Sequence, residues 1–145
     1  MSKENVIEKL KILLADTYAL YLKTQNYHWN VEGVNFKPLH LLFEEQYSDL
    51  TIAVDDIAER IRTLGEKAPG TFSAYNSMKT IEDGNENADA ATMVKELSAD
   101  QENIIKSLKN VLDVAQEIGD EVTIGMVVDR IAIHEKNGWM LRSSV

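Results

Sequence analysis

Apolar or small residues return every three or four positions in the first stretch of the chain, at Ile7, Leu10, Leu14, Thr17, Tyr21 and Thr24. That spacing is the period of one helix face. It predicts a helix from about Lys3 to Val31, with Ser2 as its N-cap and Glu32-Gly33 at its end. His28 continues the same stripe, so it faces inward or toward a contact. A second stripe, from Leu39 through Phe43, Tyr47, Leu50, Val54, Ile57 and Ile61 to Leu64, predicts a helix from Pro38 to Leu64. Proline suits a first turn, and Gly65 suits the position just past the end. A third helix is expected from about Ala90 to Ile118, with Met93, Leu97, Ile104, Leu108, Leu112, Ala115 and Ile118 inward and Gly119 as its stop. A fourth is expected from Glu121 to Leu141, capped by Asp120 and weakened locally by Gly125 and Gly138.

Residues 66–89 separate the second and third helices. Pro69-Gly70-Thr71 and Asp83-Gly84-Asn85 are turn signals. Between them Phe72, Tyr75, Met78 and Ile81 recur at every third position, which predicts a short extra helix. A connection this long lets the second and third helices run parallel through a crossover. The expected fold is therefore all-α, a four-helix bundle with a short helix in its long connection. The scarcity of glycine and proline (seven and two) agrees, because a turn-rich β-fold needs more of both.

At 145 residues the chain fits one domain, spanning 1–145. There is no cysteine, which excludes a disulfide framework, a thiolate metal site and a cysteine nucleophile. A net charge of −9 opposes binding to phosphate backbones and favours accumulation of cations. No apolar run reaches the ~20 residues that span a bilayer, and the N-terminus does not read as a signal peptide. A cytoplasmic protein is expected.

His40, Glu44, Asp55 and Glu59 then change the picture. On one helix they fall within an arc of ~100°, roughly 115° away from the apolar stripe. Singly, such residues commonly decorate a solvated face. Jointly they form one face of metal-type ligands, with His28 close by in Tyr27-His28-Trp29-Asn30. His40 and Asp55 lie ~22 Å apart along the axis, so one ion cannot touch both within one chain. Their positions are symmetric about residues 49–50. An antiparallel second copy of the helix would set His40 against Glu59 and Glu44 against Asp55, making two equivalent sites shared by two subunits. A di-iron site inside the bundle would need Glu-x-x-His, and Gln25, Lys37 and Ile131 stand three residues before the histidines instead. Imidazole with carboxylate suits iron, manganese or zinc. His134 lacks a comparable carboxylate pattern and reads as structural or surface. No Gly-x-Ser-x-Gly or phosphate-cradling loop is present.

Tyr27-His28-Trp29-Asn30, Gly33-x-Asn35-Phe36, Leu39-His40 and Asp55-x-x-x-Glu59-Arg60-x-x-x-Leu64-Gly65 resemble the Dps family of mini-ferritins. Ala68-Pro69-Gly70-Thr71 and the closing His134-Glu135-Lys136-x-x-Trp139-Met140-Leu141-Arg142 fit as well, so the resemblance covers essentially the whole chain. It implies a ferritin-like subunit in a hollow homododecamer, with two-iron ferroxidase centres at two-fold interfaces. Carried over, His28 and His40 come from one subunit and Asp55 and Glu59 from the other. Glu44 stands where the family often has Asp. The implied reaction is oxidation of Fe(II) by hydrogen peroxide, followed by ferric storage. Trp29, next to His28, reads most simply as a packing residue on its own; beside an oxidising iron site it would also serve as a local electron donor. Asp120 and Asp129 match acidic positions of an iron-entry pore, and Gly125 replaces a frequently acidic one. Many members bind DNA through a lysine-rich extension. None is present here, and Lys3, Lys9 and Lys11 read as a solvated helix face, so DNA binding is not expected. Two alternatives stay open: a nucleoid-associated DNA-coating protein with a vestigial metal site, and a zinc or manganese buffer or clamp.

Overall fold

The computed structural model describes residues 2–145 as five helices: α1 (Lys3–Asn30), α2 (Phe36–Thr63), α3 (Phe72–Met78), α4 (Ala90–Glu117) and α5 (Glu121–Arg142). α1 packs against α2, α3 and α4, and α5 packs against α4 and, more lightly, α2. Residue pairings set the directions. Asp16 meets Ser107 and Lys23 meets Asp100, so α1 and α4 are antiparallel. Asp49 meets Arg130 and Arg60 meets Asp120, so α2 and α5 are antiparallel as well. With α4 and α5 folded back at Gly119, α2 and α4 run parallel, joined by the long crossover that carries α3.

The helix ends follow side-chain chemistry. Ser2, Thr71, Asp89 and Asp120 accept hydrogen bonds from the backbone amides of Asn5, Ala74, Thr92 and Thr123. These satisfy amides that a helix start leaves without partners. α2 begins at Phe36, two residues before the predicted Pro38. Pro38 still lies in the first turn, where its missing N–H costs no helical bond. Gly119 has φ +67°, a conformation that lets the chain reverse between α4 and α5.

The predicted stripes form the core. Leu10, Leu14, Phe43, Leu50, Ile57, Met93, Leu97 and Leu108 are buried. Tyr21, Val54, Leu64 and Leu112 line it half-buried, and Tyr47 is half-buried as well. Ile118, predicted inward, is the C-cap of α4 and is exposed, because the helix ends before it can turn in. α3 stops at Met78 and buries none of its residues. Ile81 lies beyond its end and is buried on its own account. The backbone amides of Thr80 and Ile81 donate to the buried Asp16 carboxylate, which also accepts from the Thr80 and Ser107 hydroxyls. Asp16 thus fastens the crossover to α1 and α4.

His134 is structural. It is buried, Arg130 donates to its Nε2, and its Nδ1–H donates to Gln101 Oε1 at 2.8 Å. Arginine has only donors, which fixes this tautomer. Arg130 itself spans both oxygens of Asp49 at 3.0 and 2.9 Å. Burial, with the Arg130 charge adding to it, holds the His134 imidazole down at about 3, so the ring is neutral.

Candidate metal centre

The short turn between α1 and α2 brings the last turn of one helix beside the first turns of the other. His28 and His40 face each other there and exchange hydrogen bonds. His28 Nδ1 bonds the His40 carbonyl at 2.7 Å, and His40 Nδ1 bonds the His28 carbonyl at 2.6 Å. A carbonyl only accepts, so both Nδ1 atoms carry hydrogen and both Nε2 lone pairs stay free. The His28 carbonyl is among the last four of α1, which lack helical partners. The bond from His40 therefore also caps that helix end.

The rings are stacked, with centroids 3.8 Å apart and planes 13° apart. Phe36 stacks on His40 at 4.9 Å, and Tyr47 meets His28 edge-on at 5.1 Å. Each imidazole is thus fixed in tautomer and in orientation, as a metal-ligating histidine needs. Glu44, one turn beyond His40, brings an oxygen to 4.0 Å from His28 Nε2 and is half-exposed. Ligand atoms of His28, His40 and Glu44 all lie within 4.8 Å of one another, the one such three-residue cluster among the described residues.

Asp55 and Glu59 are exposed, further along α2 on the same face. They do not join the histidines within the chain, as their axial separation requires. Trp29 is exposed beside His28 in sequence. Asp120 is committed elsewhere: Thr123 donates its amide and hydroxyl to it, and Arg60 pairs with it at 2.8 Å. Burial alone would raise its carboxyl, but these bonds and the Arg60 charge outweigh burial and hold it below the usual range. Asp129 is exposed on α5. Sequence reasoning did not foresee Tyr47 and Phe36 as the rings that hold the histidines, nor the Arg60–Asp120 clamp. A signal for Tyr47 was available, since a residue seven beyond His40 returns to nearly the same side of the helix.

Four long helices with a crossover and a histidine–carboxylate cluster at one end define a ferritin-like bundle protein. The ferritin-like domain family matches residues 7–145. A relative named DNA protection during starvation protein 2, from Bacillus anthracis, is 36% identical over 143 residues, covering 99% of this chain and 97% of the relative. A Dps protein from Bacillus brevis has the same fold, with a TM-score of 0.94 at 34% identity, covering 99% of this chain and 98% of that one. Dps from Vibrio cholerae O1, described as a member of a broad superfamily of ferritin-like diiron-carboxylate proteins, gives 0.93 at 33%, covering 97% and 89%. The chain belongs to the Dps family of ferritin-like proteins.

Proposed function

We propose that this protein is an iron-oxidising and iron-storing mini-ferritin. It oxidises Fe(II) to Fe(III), preferably with hydrogen peroxide, at sites shared by two subunits. The ferric product is stored as mineral inside a hollow homododecamer in the cytoplasm, which protects against oxidative stress. Iron is the substrate and the cargo. The observation that carries this reading is the pair of stacked imidazoles whose Nε2 atoms are free beside Glu44.

An antiparallel partner would bring its own Asp55 and Glu59 to that cluster. Ser48 and Thr51 are exposed near the middle of the face and are small, which suits close approach of two α2 helices. Asp55 and Glu59 offer hard anionic oxygens that favour Fe(III), and the imidazoles offer neutral nitrogens. Two Fe(II) ions give peroxide both of its electrons. With two protons the products are two Fe(III) and two waters, and no hydroxyl radical leaves. The net charge of −9 per chain draws Fe(II) toward the protein. Asp129 is the better candidate for an entry pore, because Arg60 already neutralises Asp120. Removing peroxide and free Fe(II) would protect DNA without touching it, in keeping with the relatives' name.

The test is anaerobic loading with Fe(II), then peroxide, following ferric absorbance. Rapid oxidation saturating at about two irons per site and about two per peroxide is expected for a paired-metal centre. Oxidation no faster than in buffer would overturn the reading.

A further inference from the structure

The aromatic contacts do not end at the histidines. Tyr47, edge-on to His28, has its ring 6.0 Å from that of Tyr21. Tyr21 meets Tyr18 at 5.7 Å, and Tyr18 meets Tyr75 at 5.0 Å with planes 32° apart. These centroid distances are those of rings in contact. The line runs unbroken from the candidate metal centre to a groove of about 470 Å³ between α1 and α3, which Tyr18 and Tyr75 help to line. Four of the five tyrosines in the chain belong to it. The fifth, Tyr27, is tied by its hydroxyl to Glu96 and to the Asn85 amide. In a chain without cysteine, phenol and indole are the side chains that most readily give up one electron.

Peroxide needs two electrons. A centre holding a single Fe(II) supplies one, and the half-reduced product is hydroxyl radical unless a second donor stands ready. We propose that Tyr47, Tyr21, Tyr18 and Tyr75 form an electron-donating relay that supplies this second electron. The proposal rests on the ferroxidase reading above. In balance, one peroxide, one Fe(II), one tyrosine and one proton give one Fe(III), one tyrosyl radical and two waters. The O–O bond breaks, iron and phenol are each oxidised by one electron, and the phenolic proton leaves to water in the groove. The radical comes to rest on the Tyr18–Tyr75 pair, where two rings adjoin and water is at hand. Tyr75 donates its hydroxyl to the Pro69 carbonyl, which anchors the far end of the line.

The experiment is freeze-quench electron paramagnetic resonance on protein given less than one Fe(II) per site, then peroxide. The wild type is expected to show a phenoxyl signal. Tyr21→Phe keeps the ring but removes the redox-active hydroxyl, touches neither histidine, and is expected to lose the Tyr18–Tyr75 signal. A spin trap should capture more hydroxyl radical from that variant, while oxidation at two Fe(II) per site stays at the wild-type rate. No phenoxyl signal in the wild type, a signal unchanged in Tyr21→Phe, or an indolyl signal from Trp29 in its place would overturn the relay. A second arm separates this from failure of the ferroxidase reading. A ruthenium polypyridyl photo-oxidant coordinated to the imidazoles of iron-free protein should generate the same phenoxyl on a flash. Slow iron oxidation with that flash signal intact defeats the ferroxidase reading and the peroxide step but upholds the electron path. Absence of the flash signal overturns the path itself.

Discussion

His134 couples the fold to pH. Its imidazole is buried, held neutral at about 3, and wedged between the Arg130 guanidinium and Gln101. In the unfolded chain the same ring titrates near its ordinary ~6.5. The folded value is depressed, so protonation favours unfolding. The stabilising contribution is full above the unfolded value and is lost as pH falls from ~6.5 toward the folded value. One pK unit corresponds to about 1.4 kcal/mol, so at pH 5 the loss is about 2 kcal/mol. His134→Gln provides the control, since its amide can donate to Gln101 and accept from Arg130 but does not titrate. Guanidinium unfolding at fixed protomer concentration, at pH 7 and pH 5, reads the effect for both proteins. The wild type should lose about 2 kcal/mol more than the variant. Taking this difference cancels other titrating groups, including Asp100, whose carboxyl burial raises despite Lys23 beside it. Equal losses in the two proteins would show that His134 is protonated without penalty, and the buried neutral assignment would fall.

Asp55→Ala and Glu59→Ala each alter an exposed side chain, so both variants should fold and assemble while fast iron oxidation is abolished. Wild-type rates by stopped-flow absorbance in both would remove these residues from the site. Asp16→Ala orphans the amides and hydroxyls that its carboxylate holds, and should cost about 3 kcal/mol or more by denaturant titration. Asp16→Asn should cost clearly less, because its oxygen can still take the amides while the hydroxyls rotate to accept; an equal cost would mean charge, not bonding, matters. Gly84→Ala puts a Cβ 3.1 Å from Tyr27 Cε1 and Lys23 Cγ, on a ring pinned by its hydroxyl, and should cost about 1–2 kcal/mol. An unchanged melting temperature would show that Tyr27 yields freely.

The helices were legible because their inward residues obey a helical period, and their ends because Ser2, Asp120 and Gly119 are specific stop and start chemistry. The crossover was legible from its length alone. Ile81 was not assignable, because a spacing of three continues past the end of α3 and periodicity cannot show where a short helix stops. The tie that decides it comes from Asp16, more than sixty residues away in sequence. The same holds at the centre. The residues of one face, His40, Glu44, Asp55 and Glu59, follow from the geometry of a single helix. The reciprocal histidine bonds depend on how α1 and α2 meet, which no local pattern encodes.

The position of the polar groups argues for a site between subunits and against one within the bundle. The bundle does hold a polar centre, where the buried Gln101, Arg130 and His134 meet the half-buried Asp49. Both nitrogens of His134 are engaged there, and the fixed positive charge of Arg130 already occupies the Asp49 carboxylate. A metal ion at that place would meet a cation and no free lone pair on an imidazole, so that polar centre is closed to it. The two histidines with free Nε2 atoms lie instead at the mouth of the α1–α2 turn, beside a half-exposed Glu44. Two nitrogens and one carboxylate leave a hard ferric ion short of anionic oxygen. The exposed Asp55 and Glu59 of an antiparallel second copy are the groups on this chain whose placement on the same face would make up that shortfall.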